Sequence, residues 1–246
     1  MSKIFDALKK VQAEVGRKAP DAEAPEADAV GESVDADMPE AFIAEMVSMR
    51  YSLEAKFSRA HKAVAFACAI KGEGVSTVSR MFSQILVQDP VSRVVLVDAN
   101  AHNPTVHSSF GVGIGPGLMD LLTGRKALHE CLHGTGHPRL KVMPIGESVV
   151  PPMQAFASDS MKRMITDVLA ANDYLVFDAP PVLLYPETTI LSSQVDGVVF
   201  VVQAVRTKKE VVKKAIDSVR KGGGEVLGLV LNKNKHFIPE FIYKRV

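Results

Sequence analysis

The sequence predicts a doubly wound α/β domain with a mostly parallel sheet between two layers of helices, a three-layer α/β/α arrangement. From Lys62 onward, apolar runs rich in β-branched residues alternate with helical patterns. The runs are nearly continuous, as in Val94–Val97 and Val198–Val202, which is typical of strands buried on both faces of a parallel sheet. In such a fold we expect the ligand site at the carboxyl ends of the strands.

Strands and helices alternate along this part of the chain. The predicted strands, in chain order, are Ala63–Ile70, Arg93–Val97, Leu140–Pro144, Tyr174–Phe177, Gly197–Val202 and Val226–Leu231. The predicted helices are Ala41 to about Arg59, Ser76–Val87, Lys126–His133, Ser158–Ala171 and Lys208–Lys221. We find no internal repeat.

Composition excludes several classes of protein. The chain has 246 residues, 47% of them hydrophobic and 23% charged, so it is not disordered or fibrous. Two cysteines, Cys68 and Cys131, are too few for a disulfide framework. We find no secretory signal and no apolar run long enough to cross a bilayer, so we expect a cytoplasmic protein.

The formal net charge of +1 conceals segregated charges. Residues 19–41 carry eight acidic side chains and no Lys or Arg, which leaves +9 on the rest of the chain. Three prolines and the absence of aromatic residues predict a flexible acidic linker. It separates residues 1–18 from a domain at 42–246. We predict no nucleic acid as a partner.

The first 18 residues show a short amphipathic pattern. Ile4, Leu8, Val11 and Val15 recur at helical spacing, with lysines around them. One interpretation is a basic helix that docks on a partner or at the inner face of the cell membrane. The other is a marginal terminal helix, because isolated helices of this length are weak.

A glycine-rich loop joins the first predicted strand to the next helix. It matches the phosphate-loop pattern G-x-x-x-x-G-K-[ST] at Gly74, Ser76 and Thr77, but Val75 occupies the lysine position. Gly72 and Gly74 allow several backbone N–H groups to face one concavity at a helix N-terminus, which favours an anion. The alternative is a plain glycine turn between strand and helix.

Acidic residues follow two of the apolar runs. Asp98 ends one predicted strand, and Asp178 follows another. Because the carboxyl ends of parallel strands meet at one edge of a sheet, both carboxylates should lie beside the phosphate loop. There they are placed to hold Mg²⁺ directly or through water.

These motifs together resemble the bacterial tyrosine kinases (BY-kinases) of exopolysaccharide and capsule synthesis, which are related to the ParA/MinD-like P-loop ATPases. The resemblance covers roughly residues 40–233. Similar segments are Gly72–Thr77 (Walker A), Val95–Asn100 (Walker A′), Phe177–Pro181 (Walker B), Gly117–Gly124, Val230–Lys233 and the opening Met1–Leu8.

The resemblance implies ATP and Mg²⁺ as cofactors and a role for each matching residue. The loop residues that would bind the nucleotide are Gly72, Glu73, Gly74, Ser76 and Thr77. Ser76 and Asp178 would ligate Mg²⁺, and Asp98 would lie near the γ-phosphate as a ligand or a base. Asn232 would contact the adenine. For each polar residue the alternative is a helix cap or a turn at a strand end.

The sequence also departs from the family pattern. Val75 removes the lysine that binds the β- and γ-phosphates, Asn100 replaces the second Walker A′ aspartate, and His102 stands where relatives carry arginine. Lys71 is an alternative cation for the phosphates. We therefore expect weak or absent ATP binding, an impaired kinase, and a role as regulator or scaffold, with an active autokinase of polysaccharide chain-length control as the alternative.

The resemblance further implies a partner. Relatives work with a membrane polysaccharide co-polymerase that regulates chain length, and a scaffold would dock on that protein or on an active kinase relative. Relatives also form rings through a Glu-x-x-Arg-x-x-Arg helix, for which Glu45–Arg50 is an incomplete match. A homo-oligomer is therefore a weaker expectation. Tyr243 is a single tyrosine where relatives carry a C-terminal cluster, which favours the scaffold over the active kinase.

A zinc-binding motif is a remote alternative. His129, Glu130 and His133 satisfy H-E-x-x-H, which on a helix places two imidazoles beside a glutamate base. The third ligand of the longer motif fails, because Arg139 stands at the position where histidine is needed.

Overall fold

The computed structural model describes residues 40–57 and 62–233. The chain divides into two units, Met1–Val30 and Gly31–Val246, and every described residue lies in the second. The predicted basic helix at 1–18 lies outside the described residues, and so does nearly all of the predicted acidic linker at 19–41. The last two linker positions are helical, because the first described helix begins at Glu40.

Within the described residues, a sheet of seven strands forms the middle layer. The strands are β1 (Lys62–Ala67), β2 (Val94–Asp98), β3 (His133–Gly134), β4 (Leu140–Met143), β5 (Tyr174–Asp178), β6 (Gly197–Gln203) and β7 (Val226–Asn232). Their order across the sheet is β3-β4-β2-β5-β1-β6-β7. All neighbours are parallel except β3 and β4. The predicted fold class is confirmed.

Helices connect the strands. They are α1 (Glu40–Glu54), α2 (Val75–Leu86), α3 (Val106–Ser109), α4 (Leu118–Leu122), α5 (Leu128–Cys131), α6 (Pro152–Phe156), α7 (Asp159–Leu169), α8 (Glu187–Ser192) and α9 (Lys209–Lys221). The four helices that the sequence did not predict, α3, α4, α6 and α8, have four to six residues each. A segment of that length is too short to show a helical period.

The predicted helix Lys126–His133 is wrong. Only Leu128–Cys131 is helical, and the chain is already extended at Leu132. His133 then begins β3, which pairs antiparallel with β4 at one edge of the sheet. Pairing with a neighbouring strand outweighs the local helical pattern here.

Two apolar layers cover the faces of the sheet. In β1, Ala63, Ala65 and Ala67 face the layer that holds α7 and α9, and the alternating Val64 and Phe66 face the layer that holds α2. Helix α2 presents a buried face that recurs at helical spacing. Both faces of the sheet are therefore dry, which explains the continuous apolar runs.

The two edges of the sheet differ. The β3 edge is a strand of two residues, whereas β7 has seven. On β7, Leu229 and Leu231 are 53% and 63% exposed. A bulge interrupts the pairing of β6 with β7 beside Val198 and Val199, and Lys56 donates a hydrogen bond to the carbonyl of Leu227.

We searched the described part of the chain for helices that are long and apolar enough to span a bilayer, and found none.

Candidate functional site

The glycine-rich loop lies between the end of β1 and the start of α2. Gly72 and Gly74 both adopt left-handed backbone angles, with φ of +88° and +95°. A Cβ atom at Gly74 would also lie 2.1 Å from Nδ2 of Asn232. Glycine is thus required at position 74 for two reasons, the left-handed backbone conformation and the close approach of a neighbouring side chain. Helix α2 begins directly at Val75, so its N-terminus faces the concavity of the loop.

The Glu73 side chain holds the loop from inside the protein. It is fully buried, and its Oε2 accepts hydrogen bonds from the N–H groups of Ala69 (2.9 Å) and Ile70 (3.1 Å). Its Oε1 accepts from the N–H of Gln203 (3.0 Å) and the hydroxyl of Thr207 (2.6 Å). All four donors belong to the protein. The carboxylate of Glu73 is therefore a structural anchor, and only its backbone faces the site.

The end of β7 contacts the loop from outside. Nδ2 of Asn232 donates to the carbonyl of Glu73 (2.9 Å), and Nζ of Lys233 donates to the carbonyl of Gly72 (2.9 Å). Two consecutive side chains thus bind two consecutive loop carbonyls. Carbonyls that are held outward leave the N–H groups of the loop free to face an anion.

Val75 lies at the position of the missing lysine. Its side chain is 7% exposed and packs in the apolar cluster that contains Phe66 and Val78. Ser76 and Thr77 follow in the first turn of α2 and line the same cavity as the loop. The loop thus has left-handed glycines at the N-terminus of α2, and its lysine position contributes packing rather than charge.

Asp98 and Asp178 lie directly opposite each other on the neighbouring strands β2 and β5. Both are buried, at 0% and 1% exposure. The carboxylate of Asp98 accepts hydrogen bonds from the N–H groups of Asn100 (3.0 Å), Thr105 (2.9 Å) and Val106 (3.0 Å). Strand register has thus brought together the two carboxylates that the sequence predicted as neighbours.

The carboxyl group of Asp178 has no such support. Neither of its oxygens has a hydrogen-bond partner of good geometry among the described residues, although the nearby Ser76 hydroxyl opposes the rise in its pKa. Burial, followed by the neighbouring Asp98 carboxylate, raises the pKa of Asp178 to about 8. Burial also raises the pKa of Asp98, and its three N–H donors oppose that shift.

An unsatisfied buried carboxylate beside a second one is a site that a cation would satisfy. Ser76, Asp98 and Asp178 provide the oxygen donors that Mg²⁺ prefers. In the described part of the chain, no group of three or more His, Cys, Asp or Glu side chains is arranged for a metal. These residues therefore fit a cation that keeps water and phosphate oxygens as its other ligands, as Mg²⁺ does.

A cavity of about 430 Å³ lies over the loop. Its walls are the loop itself, the start of α2, and residues that include Asn100, His102, Tyr185 and Lys233. The volume lies within the range of small-molecule sites. Cys68 also lines the cavity, but burial raises the pKa of its thiol to about 12, so it is not a reactive thiolate.

Tyr185 and Glu187 were missed by the sequence analysis. The ring of Tyr185 stacks on His102 with centroids 3.6 Å apart, and Nζ of Lys71 lies 5.3 Å from the centre of the Tyr185 ring. The buried Glu187 carboxylate lies 3.2 Å from Nε2 of His102. Tyr185 lies four positions after the Phe177–Pro181 segment, and a single tyrosine there matches no motif that could have identified it.

The zinc hypothesis is wrong. His133 lies in β3, and its Nε2 is 2.7 Å from the carbonyl oxygen of Pro116. Glu130 pairs with Lys126 and accepts from the N–H of Ala127. The helix of four residues ends before His133, so the two imidazoles are not on one helical face.

The fold and the loop define a P-loop protein of the ParA/MinD-like type. The chain superposes on the cobyrinic acid a,c-diamide synthase of Mycobacterium smegmatis with a TM-score of 0.58 and 15% identity, covering 69% of this chain and 71% of that one. It superposes on the chimerical protein CapA2B2 with a TM-score of 0.72 and 23% identity, covering 78% and 84%. These likenesses concern the fold.

Sequence similarity narrows the class. The tyrosine-protein kinase CpsD of Streptococcus agalactiae is 32% identical over 174 residues, which are 70% of this chain and 76% of CpsD. The tyrosine-protein kinase YwqD of Bacillus subtilis (strain 168) is 29% identical over 189 residues, 76% of this chain and 79% of YwqD. No protein-family model matches the chain. The chain belongs to the bacterial tyrosine-protein kinase family.

Proposed function

We propose that this chain has kept the nucleotide site of its family and lost most of the catalytic power. It binds ATP with Mg²⁺ weakly, is impaired as a tyrosine kinase, and acts as a regulator or scaffold in exopolysaccharide biosynthesis. One observation carries the proposal. The loop retains its left-handed glycines and its anchor, yet the side chain at the lysine position, Val75, is buried and uncharged.

The residues of the site have separate roles in this proposal. Backbone N–H groups of the loop and the N-terminus of α2 hold the phosphates. Ser76, Asp98 and Asp178 hold Mg²⁺, which supplies positive charge to the phosphates when it is bound. The three N–H donors on Asp98 favour the role of a fixed ligand over that of a base.

The missing lysine explains the impairment. Charge on a transferring phosphoryl group is stabilised mainly by fixed cations and by metal ions. Loss of one such electrostatic donor typically lowers the rate by a factor of about 10²–10³. His102 in place of arginine, paired with Glu187, weakens the positive charge of the site further.

Relatives support the ligands of this proposal. The curated relatives are named as tyrosine-protein kinases, and the cobyrinic acid a,c-diamide synthase was solved with an ATP analogue and magnesium, and with ADP and magnesium. Asn232 as an adenine contact stays a prediction. Its amide nitrogen is bonded to the loop, and its Oδ1 accepts from the N–H of Lys233.

The partner is proposed by the same reasoning. The segment that matches this chain forms 22% of the tyrosine-protein kinase ptk of Acinetobacter johnsonii, so related domains occur within much longer chains. We propose that a membrane co-polymerase or an active kinase relative supplies the partner surface here. In this scheme the protein is cytoplasmic, with residues 1–18 as a peripheral contact at the inner face of the membrane.

An active autokinase is the second candidate function. The observation that favours it is the retained pair of buried aspartates, Asp98 and Asp178, which a scaffold would not need. Arg50, part of the incomplete ring motif, pairs within the chain with Glu54 (2.9 Å) and Asp89 (2.7 Å). Because Arg50 is already paired within the chain, the incomplete ring motif does not support an active autokinase.

Calorimetry with ATP and Mg²⁺ tests the proposal. We would compare the native chain with Val75→Lys, and use Val91→Lys as the matched control. Val91 is 77% exposed, so the control adds the same charge away from the loop. We expect Val75→Lys, but not Val91→Lys, to bind ATP with Mg²⁺ at least about tenfold more tightly than the native chain does. The reason is that the lysine in the loop gains one charge-assisted contact with the phosphates.

A kinase assay with radiolabelled ATP completes the test. We expect Val75→Lys to label protein tyrosine and the native chain to label it far more slowly. If the native chain labels tyrosine as fast as the variant, the impairment is refuted and the autokinase is the function.

A further inference from the structure

In the part of the chain that the structure describes, four cationic or ionisable nitrogen groups lie around the loop: Lys71, His102, Arg206 and Lys233. They differ in the contacts that their side chains already make. Nζ of Lys71 lies over the ring of Tyr185, and His102 contacts both Tyr185 and Glu187. The guanidinium of Arg206 donates to Oε1 of Gln203, 3.1 Å away.

Lys233 is different. It lines the cavity over the loop, and its Nζ donates to a loop carbonyl, that of Gly72. Within the described residues it forms no ion pair with a carboxylate. An ammonium group has three N–H donors, and a carbonyl occupies one of them. Lys233 thus presents donors and a full positive charge at the lip of the phosphate loop.

The backbone shows how the side chain reaches this place. Lys233 has a φ of +55°, a left-handed conformation that is uncommon for a residue with a side chain. Its N–H is bonded to Oδ1 of Asn232 (2.8 Å), while the amide of Asn232 is bonded to the loop. The turn directs two successive side chains back onto the loop, and Lys233 stays exposed to solvent there.

We infer that Lys233 supplies the positive charge that Val75 no longer provides, and contacts the phosphates of a nucleoside di- or triphosphate in this cavity. The inference rests on the proposed function, since it assigns a further binding residue to the same site. Lys233, at the end of β7, takes the place of the lysine that the phosphate-loop pattern puts at the start of α2. Because its position is different, it restores phosphate affinity without restoring the full rate of transfer.

The test is the affinity for ADP·Mg²⁺, measured by calorimetry on the full chain. We expect Lys233→Ala to weaken binding by a factor of about ten or more, as the loss of a charged hydrogen bond would. Lys213→Ala is the matched control, and we expect less than about a threefold change, because that lysine is exposed on α9 and does not line the cavity. Adenosine, which lacks phosphates, should bind both variants and the native chain alike.

A double-mutant cycle separates a phosphate contact from mere support of the loop. With Val75→Lys present, the loss caused by Lys233→Ala should shrink below about threefold, because the loop lysine then holds the phosphates. Equal losses in both backgrounds would mean that Lys233 only braces Gly72, and would overturn the inference. So would unchanged ADP affinity in Lys233→Ala, or no detectable ADP binding by the native chain.

Lys233→Arg keeps the test decisive if Val75→Lys does not fold. The arginine retains the charge, so its ADP affinity should stay within about threefold of native, and a loss as large as that of alanine would count against the inference. Failure of the proposed function has a different signature. It would appear as rapid tyrosine labelling by the native chain, whatever Lys233 does to affinity.

Discussion

Replacing Glu73 is the sharpest test of how the phosphate loop is held. The carboxylate is fully buried and accepts four hydrogen bonds from protein groups. In Glu73→Gln the amide oxygen can keep the two bonds from Ala69 and Ile70. The new NH₂ group then faces the N–H of Gln203, and two donors meet where a donor met an acceptor.

The size of the effect follows from those contacts. A buried donor that loses its acceptor costs about 1–3 kcal/mol, so Glu73→Gln should lower the free energy of unfolding by about 2 kcal/mol. Glu73→Ala leaves all four donors without an acceptor and should cost roughly 4 kcal/mol or more. A loss of that size approaches the whole stability of a typical domain, so the glutamine variant is the informative one.

Urea denaturation followed by circular dichroism measures the difference. Glu225→Gln makes the same chemical change at an exposed glutamate and should alter stability by less than about 0.5 kcal/mol. Thr207→Ala removes one of the four donors and should cost about 1 kcal/mol. A Glu73→Gln variant as stable as Glu225→Gln would refute the anchor.

Three further predictions concern other parts of the molecule. Because the folded-state pKa of Asp178 is raised to about 8, above an unfolded value of about 4, its contribution to stability is complete below about pH 4 and falls by about 1.4 kcal/mol per unit as pH rises towards 8. Asp178→Asn should remove this slope and be the more stable protein at about pH 7 in EDTA, and denaturation curves that stay parallel across pH would contradict it. A zinc-selective chelator should leave the melting temperature unchanged, and elemental analysis of untagged protein should find less than about 0.1 zinc per chain, because His133 is turned to a carbonyl. Asp120→Asn should cost about 2 kcal/mol in urea, since Oδ2 of this buried carboxylate accepts from the N–H groups of Gly117 and Glu147 while Oδ1 accepts from Arg125, so the new NH₂ group must face a donor on one side; a neutral effect would show that those bonds contribute little.

Local patterns were enough to predict the sheet and the loop. Six of the seven described strands differ from the predicted ranges by no more than three residues at either end, because continuous apolar runs have one interpretation in an α/β chain. The two-residue strand β3 was not predicted, because it overlaps the end of a predicted helix and carries no apolar run. Glycine spacing located the loop, since left-handed angles are needed at Gly72 and Gly74. The pairing of Asp98 with Asp178 followed from the rule that parallel strands end at one edge.

Tertiary contacts determine the roles of several residues that the sequence alone did not predict. Glu73 looked like a ligand residue because of its place in the loop, but two of its four hydrogen-bond partners, Gln203 and Thr207, are about 130 positions away in the chain. Lys233 was noted only as part of a family segment, because nothing local shows that β7 ends beside the loop. His129 and His133 have helical spacing in the sequence, but pairing of the second with β4 places it in a strand.

The unequal edges of the sheet have a consequence for how the protein behaves in concentrated solution. A long outer strand with two exposed leucines on one face, Leu229 and Leu231, is a template on which another chain can add a strand. The bulge at Leu227, whose carbonyl is occupied by Lys56, limits that pairing at one end only. Purified samples should therefore self-associate through β7 before any other edge, and a charged residue at position 229 is the change that would keep them monodisperse during crystallisation.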